Sequence, residues 1–410
     1  MPIKLSPFAP KDVKKFFKLD GIKVSIAHCG LKKNKKEDLV LIKFDQPSLI
    51  YGAFTLSKTP GEPIIWNKSI IDYEKVSAIL INSGNANVFN GEAGRNSLRK
   101  IVKRLSDDLC VSQNEIYIAS TGVIGELLDH NKIIRKIPYL IKNLKNDHST
   151  WFGAANAIRT TDTYAKTHSE KSKSNRQIVI NGLAKGSGMI SPNMATMLGF
   201  IFTNAQFSGL AYKKKFFELI NKTFNCISVD GDTSTSDMVL LISVKNEDKH
   251  LKIDNSKKQK DFFKILETLM MKLSQYIVKD GEGASKFIMI SVKGAKDDLE
   301  AKKIAMSIGN SPLFKTAMAG SDSNWGRIIM AIGKTYAKIE PQRISLRFGN
   351  FLILKNGKSF FKKNFSSINR YLKKSEIEIN VELGIAEGSA KIWTCDFTKE
   401  YISINSDYRS

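Results

Sequence analysis

The segment from Leu183 to Ala205 reads LAKGSGMISPNMATMLGFIFTNA, and it holds the residue pattern best suited to chemistry. Gly186 and Gly188 allow backbone conformations that other residues avoid, and the apolar run after them predicts a strand. A phosphate-binding loop is disfavoured, because the order is KGSG rather than GxxxxGK[ST] and a strand replaces the required helix. On spacing alone, a structural turn before the β-branched Thr196 remains open.

Metal and thiol chemistry have little support in the sequence. The cysteines and histidines form no CxxC pair, HExxH motif or other spacing typical of metal ligands. We therefore predict reduced, mostly buried thiols and no metal site. The residues in question are Cys29, Cys110, Cys226, Cys395, His28, His130, His148, His168 and His250.

The sequence KGSGMISPNMATML closely resembles the self-cleaving segment of the ornithine acetyltransferase family, also called the bifunctional glutamate N-acetyltransferases. Other motifs of that family occur in family order over nearly the whole chain. They are NSGNAN (82–87), STGVIGE (120–126), TTDT (160–163), DGDTSTSD (230–237), DGEGASKF (280–287), NWGRI (324–328) and the terminal WTCDFTKEYISINSDYRS (393–410).

Some positions depart from the family pattern. Ser323 stands where a proline usually precedes NWGR, and Val88 and Phe89 follow NSGNAN where small residues or cysteine are commoner. The last residue is Ser410 where many relatives end in threonine, so the hydroxyl is kept. We expect none of these departures to change the chemistry.

The resemblance implies cleavage of the chain between Ala195 and Thr196. Residues 1–195 would form an α chain with the oxyanion hole and much of the substrate site. Residues 196–410 would form a β chain that begins with the nucleophile Thr196 and whose C-terminal tail completes the site. The resemblance further implies a heterotetramer of two α and two β chains, and a two-subdomain αββα sandwich like that of the self-cleaving aminopeptidases.

Cleavage before Thr196 would free an α-amine, whose unperturbed pKa is about 8, beside the threonine hydroxyl. Such an amine can act as the general base for its own hydroxyl. By resemblance, Thr196 would attack N-acetylornithine, release ornithine, hold the acetyl group as an ester and pass it to glutamate. We expect ping-pong kinetics and no cofactor, with acetyl-CoA open as a further acetyl donor.

The family match also assigns roles around the nucleophile. Thr121 and Gly122 would stabilise the oxyanion, and the family match favours this role over the alternative that STG is only a turn at the end of a strand. Lys185 and Glu282 would be anchors of opposite charge for the substrate, although without the motif either reads as a surface charge. The substrate-binding positions implied by the resemblance are Thr160, Lys185, Thr196, Glu282, Asn405 and Ser410. The clustering of the last two predicts a C-terminal tail docked in the site.

Alternating strands and amphipathic helices predict a layered α/β protein that positions these residues. The polar stretch Asp162 to Arg176 reads as a loop. The clearest helices are predicted at Ala93 to Leu109 and Lys257 to Val278. The predicted strands are Leu39 to Phe44, Val76 to Asn82, Glu115 to Ser120, Gln177 to Ile180, Met194 to Thr203, Met238 to Val244 and Phe287 to Val292.

Composition limits the remaining classes of function. The chain has 410 residues, a formal net charge of +24 and no apolar run long enough to cross a bilayer. Its N-terminus lacks the patterns of secretory and transit peptides, so we expect a cytoplasmic protein with no membrane partner. The lysines are dispersed without a nucleic-acid-binding motif, which favours a solvated surface that steers anionic substrates. A peptide hydrolase of related fold and a basic nucleic-acid-binding protein remain alternatives.

Overall fold

The computed structural model describes residues 4–12, 15–33, 35–191, 197–248 and 251–407, with the backbone alone at residues 363 and 364. The larger of its sheets is mixed and has the strand order β4-β3-β2-β8-β7-β6-β5, with β1 beside β2. These strands are β1 (Ile22–Ala27), β2 (Leu39–Phe54), β3 (Lys75–Asn85), β4 (Ile116–Val123), β5 (Lys166–Lys171), β6 (Val179–Lys185), β7 (Leu198–Thr203) and β8 (Met238–Ser243).

The helices of this part of the chain occupy the connections between strands. They are α1 (Glu62–Ile70), α2 (Gly91–Leu109), α3 (His130–Lys142), α4 (His148–Ala157), α5 (Leu210–Lys222) and α6 (Ser256–Lys279). Helices α2 and α6 bury the apolar faces that the sequence pattern predicts, with Leu105 and Leu269 among the fully buried residues.

One apolar core is shared by both halves of the larger sheet. Val40 of β2 and Phe202 of β7 both face this core. On the opposite face, Leu41 packs in a cluster with α2 and α3, whereas Ile201 packs in a cluster with α5 and α6. Two strand layers therefore face each other and carry helices on their outer sides. This is the αββα arrangement, so the predicted fold class is confirmed.

Strand β2 connects the two halves. Its first part pairs with β3 and its last part pairs with β8, with an irregularity in the ladder between Lys43 and Ser48. The sequence predicted only Leu39 to Phe44 for this strand. The polar segment after Phe44 hid the continuation, because the irregularity leaves three consecutive residues there exposed.

A smaller sheet forms the second subdomain, with the strand order β12-β11-β10-β13-β9-β14. Its core is built from Ile290, Ile379 and their neighbours, packed against helices. The strands are β9 (Phe287–Ala295), β10 (Ser345–Phe348), β11 (Phe351–Lys355), β12 (Lys358–Ser359), β13 (Glu376–Glu382) and β14 (Gly388–Cys395). The helices are α7 (Asp298–Gly309), α8 (Pro312–Ala319), α9 (Gly326–Gly333), α10 (Phe361–Leu372) and the C-terminal α11 (Lys399–Ser406).

The prediction of a loop from Asp162 to Arg176 is wrong, because β5 lies within that range. Strand β5 is at the edge of the sheet and pairs antiparallel with β6. Its polar side chains are buried against polar partners: Ser169 donates a hydrogen bond to Asn181 at 2.8 Å, and Lys166 bonds two carboxylates. Polarity therefore signals a buried network here rather than solvent exposure.

The predicted division at residues 195 and 196 does not separate structural units. Strands β6 and β7 lie on either side of it and pair antiparallel, with Lys185 opposite Leu198. Strand β7 is described from Leu198, and the predicted start at Met194 lies outside the described residues.

Over the ranges that the structure describes, no helix is long and apolar enough to cross a membrane.

Candidate active site

Lys185 lies at the end of β6, and only 7% of it is exposed. Its Nζ donates a hydrogen bond to the hydroxyl of Thr121 at 3.1 Å. The two residues are 64 positions apart in the chain, so the sheet brings the KGSG and STG motifs together. The alternative of a surface charge at Lys185 is wrong.

Gly122 follows Thr121 at the end of β4 and contacts the NSGNAN motif. Its φ is +131°, and a Cβ there would lie 2.4 Å from the carbonyl carbon of Gly84. Glycine is therefore required on two counts, the positive φ and the close approach of two backbones. Parallel pairing places Thr121 beside Ser83 and Gly122 beside Gly84. The oxyanion role of Thr121 and Gly122 remains a prediction.

A buried ion cluster lies behind Lys185. Lys166 of β5 contacts Asp162 at 2.6 Å and Asp280 at 2.5 Å, and all three side chains are fully buried. Asp162 also accepts hydrogen bonds from the backbone N–H of Gly186 at 2.6 Å and of Thr160 at 3.1 Å. Asp280 accepts further bonds from the N–H and hydroxyl of Thr163. The TTDT, KGSG and DGEG motifs are thus joined through one set of charges.

Burial and charge compete for the pKa values of this cluster. Burial raises the pKa of Asp280, and the Lys166 ammonium offsets only part of that rise. Burial would also raise the pKa of Asp162, but Lys166, Lys185 and their hydrogen bonds bring it below its usual range. For Lys185, burial lowers the pKa and outweighs the carboxylates of Asp162, Asp237 and Glu282. The site thus holds a lysine that is easier to deprotonate than a surface lysine.

Glu282 lies in the DGEG loop between α6 and β9, and only 6% of it is exposed. Its backbone N–H donates to the Ser187 carbonyl at 3.0 Å. A Cβ at Gly188 would lie 2.5 Å from the Glu282 carboxylate, so the second glycine of KGSG makes room for this acid. Glu282 is buried, and the alternative of a surface charge is wrong here too.

The C-terminal helix α11 packs on the DGEG loop. Asn405 donates from Nδ2 to Oε2 of Glu282 at 2.7 Å, across 123 positions of sequence. The hydroxyl of Thr398 donates to the Gly283 carbonyl at 2.7 Å. A Cβ at Gly283, whose φ is +68°, would lie 2.7 Å from the Tyr401 nitrogen. The described part of the tail is therefore held against the site.

The structure groups the predicted site residues that it describes. Two contacts join them in pairs, Thr121 with Lys185 and Glu282 with Asn405. Thr160 joins the group through Asp162. The remaining predicted residues, which are Ala195, Thr196 and Ser410, lie outside the described residues.

Sequence reasoning missed the charged residues that support this group. Asp162, Asp280 and Asp237 stand inside the quoted motifs TTDT, DGEG and DGDTSTSD, so motif membership was the available signal. Lys166 lay in the stretch read as a loop, and no pattern marked it.

Across the described ranges, no cluster of three or more His, Cys, Asp or Glu is placed to hold a metal ion.

Comparison with known proteins agrees with the motifs over the full length. The ArgJ family model matches residues 23–410. The "Arginine biosynthesis bifunctional protein ArgJ" of Agrobacterium fabrum is 38% identical over 415 aligned positions, which cover 100% of both chains. The chain therefore belongs to the ArgJ family. The family assignment made from the motifs is confirmed.

Two solved structures are similar over parts of the chain. The crystal structure of the arginine biosynthesis bifunctional protein from Bacillus halodurans has 36% identity and a TM-score of 0.47, and it covers 50% of this chain and 97% of its own. The ornithine acetyltransferase of Mycobacterium tuberculosis, solved in complex with ornithine, has 25% identity and a TM-score of 0.41. It covers 42% of this chain and 92% of its own.

Proposed function

We propose that this enzyme transfers an acetyl group from N-acetylornithine to glutamate through an acetyl ester on Thr196, after cleaving its own chain between Ala195 and Thr196. The observation that carries the proposal is the buried pair of opposite charges, Lys185 and Glu282, in the same group as Thr121. Lys185 is paired in register with Leu198, and Thr196 lies two residues before Leu198 in the sequence. Membership of the ArgJ family supports the same reaction.

To bind its substrates, the proposed site needs one positively charged and one negatively charged side chain. Both substrates carry a carboxylate, for which the Lys185 ammonium is a suitable partner, and ornithine carries a side-chain ammonium, for which Glu282 is suitable. The Thr196 amine takes the hydroxyl proton as the oxygen attacks the acetyl carbonyl. That proton passes to the departing amine of ornithine, and glutamate reverses the sequence with its own amine. Thr121 and Gly122 would stabilise the oxyanion in both halves.

Steady-state kinetics with labelled acetyl groups test this reaction. We expect parallel double-reciprocal lines when N-acetylornithine and glutamate are varied together, and label in N-acetylglutamate rather than in free acetate. Release of acetate at the same rate with and without glutamate would favour the hydrolase alternative. Salt-sensitive binding of nucleic acid by a protein without acetyl transfer would favour the third alternative.

The finer properties are proposals that rest on the family alone. We propose a heterotetramer of two α and two β chains, a cytoplasmic location and no cofactor. Use of acetyl-CoA as a second acetyl donor is the activity to assay alongside N-acetylornithine. Glutamate acetylation from acetyl-CoA at a rate above the uncatalysed background would add that activity.

A further inference from the structure

Lys32 lies beside the NSGNAN and STG motifs, although it belongs to neither. A Cβ at Gly84 would lie 2.9 Å from the Leu31 carbonyl oxygen and 3.3 Å from the Lys32 nitrogen. Gly84 is in turn paired with Gly122. Three backbones are therefore in close contact at this end of the sheet, and one of them carries Lys32.

A buried carboxylate fixes the loop that contains Lys32. Asp38 is 1% exposed, and its two oxygens accept hydrogen bonds from four successive backbone N–H groups at 2.6 to 3.1 Å. The donors are the N–H groups of Cys29, Gly30, Leu31 and Lys32. The backbone of this loop is thus held in place before any substrate binds.

The ammonium of Lys32 lies on the same face of the sheet as that of Lys185. Lys32 donates from Nζ to the Ala157 carbonyl at 2.8 Å, and the Ser83 hydroxyl donates to the same oxygen at 2.6 Å. Ser83 is paired with Thr121, whose hydroxyl accepts from Lys185. Because paired residues of neighbouring strands direct their side chains to the same face, both ammonium groups are close to one patch of the sheet.

Arg159 adds a third positive charge. It follows α4, and its charge acts on Lys32 together with that of Lys185. The hydrogen bonds that Lys32 and Arg159 donate within the described ranges go to neutral acceptors. These are the carbonyls of Glu37, Ala157 and Asp162 and the side-chain amide of Asn156. Two cations bonded in this way beside the site are suited to hold an anion.

The two substrates of the proposed reaction differ in charge at one position. N-acetylornithine has one carboxylate and a side-chain ammonium, whereas glutamate has a second carboxylate in place of that ammonium. Lys185 is the proposed partner of the carboxylate that both share, and Glu282 is the proposed partner of the ammonium. Since Glu282 would repel the second carboxylate of glutamate, that group needs a cation elsewhere in the site.

We propose that Lys32, assisted by Arg159, binds the side-chain carboxylate of glutamate and so selects the acetyl acceptor. This inference rests on the proposed function and adds a subsite to it. The product N-acetylglutamate keeps the same carboxylate and would make the same contact.

The charge on Lys32 makes this contact depend on pH. Burial is the main cause that lowers the pKa of Lys32 to about 8. The carboxylates of Asp38 and Asp162 oppose the shift, whereas the charges of Arg159 and Lys185 add to it. In the wild type, kcat/KM for N-acetylglutamate as donor should therefore fall on the order of 10-fold relative to that for N-acetylornithine between pH 7 and pH 9.5. Titration of Lys185 would affect both donors alike, so a constant ratio would overturn the inference.

Isotope exchange separates the two half-reactions in variants. Labelled glutamate exchanges with N-acetylglutamate without ornithine, and labelled ornithine exchanges with N-acetylornithine without glutamate. Lys32→Met should slow the first exchange by about 10- to 100-fold, the effect of one hydrogen bond to a charged group, and leave the second within about 2-fold. Lys32→Arg keeps the charge and should recover at least part of the first exchange. Equal slowing of both exchanges by Lys32→Met would show a structural role and overturn the inference.

Lys132→Met is the matched control. Lys132 donates from α3 to the Gly30 carbonyl at 3.0 Å, so it contacts the same loop from an exposed position. Its loss should leave both exchanges within about 2-fold. The pH dependence of the wild type decides the question if Lys32→Met does not fold. A wild type that catalyses neither exchange would overturn the proposed function and the inference with it, whereas two exchanges that Lys32→Met leaves unchanged would overturn the inference alone.

Discussion

Lys166 shows how a single residue holds several motifs in place. Its ammonium lies between Asp162 and Asp280 in a fully buried site. Removing one member of such a cluster leaves uncompensated charge, which costs more than the intact cluster contributes. Lys166→Met should therefore lower the free energy of unfolding by about 3–5 kcal/mol, measured by urea denaturation.

The matched control for this prediction is Lys103→Met on α2. Lys103 pairs with Asp107 at 3.1 Å, but both side chains are more than half exposed. Its loss should cost less than about 1 kcal/mol. Equal effects of the two substitutions would show that the buried cluster does not stabilise the protein.

Residue types and motifs predicted the members of the site better than they predicted its contacts. Lys185 and Glu282 were identified from the motifs, but the bond from Asn405 to Glu282 spans 123 positions. No local pattern encodes such a distance. Lys166 was missed because a polar side chain on an edge strand resembles a loop residue until its buried partners are known.

Among the elements, α11 depends on a glycine of the loop that it covers. A side chain at Gly283 would be strained by the positive φ of +68°, and its Cβ would lie 2.7 Å from the Tyr401 backbone nitrogen. Gly283→Ala should displace α11 and with it Asn405. We expect kcat/KM for acetyl transfer to fall on the order of 10- to 100-fold, because a small displacement of a group that positions the substrate can slow an enzyme by that much.

Gly209→Ala is the control that separates strain from displacement. Gly209 has a φ of +99°, but a Cβ there would meet nothing within 4 Å. This variant should lose stability through backbone strain and keep its activity.

A chain shortened by residues 405–410 should lose activity as Gly283→Ala does, and wild-type turnover by that chain would contradict a docked tail.

Helix α4 has an N-cap that makes its stability depend on pH. Asp147 accepts hydrogen bonds from the Ser149 hydroxyl and the Thr150 N–H, which lower its pKa to about 2. A lowered acid pKa contributes stability that is present above the ordinary value and is lost as the pH falls toward 2. Asp147→Ala should cost about 1 kcal/mol at neutral pH, and the difference from wild type should shrink below pH 4.

Asp147→Asn checks this assignment, since asparagine is also a good N-cap but does not titrate. Urea denaturation between pH 7 and pH 3 should show a constant contribution from the asparagine cap. A cost of Asp147→Ala that stays the same down to pH 3 would contradict the role of the carboxylate.

The helices with strong amphipathic patterns were predicted to within two residues, as α2 and α6 show. The small strands were not predicted, because β10 and β11 are four and five residues long and mix charged with apolar residues. Such strands become apolar on one face only, which periodicity detects poorly over so few residues. Most strands of the second subdomain could therefore be recognised only in the folded structure.

At the scale of the whole molecule, the segments 1–195 and 196–410 form one folded unit. Strand β7 pairs with β6, β8 pairs with β2, and Val40 and Phe202 belong to the same core. We expect residues 1–195 expressed alone to show no cooperative thermal transition, because one half of that core would be missing. Cleaved wild-type protein should melt in one transition. A cooperative transition of the isolated segment would contradict this account.

Self-cleavage and the role of Thr196 are tested together by intact mass spectrometry of the wild type and of Thr196→Ala under denaturing conditions, with the acetyl-transfer assay on the same samples. Cleavage should give two wild-type fragments that divide between Ala195 and Thr196, together with transfer from N-acetylornithine to glutamate. The Thr196→Ala chain should remain at the 45.9 kDa of the full sequence and show no transfer. An uncut wild type without transfer, or an active Thr196→Ala chain, would contradict the proposed nucleophile.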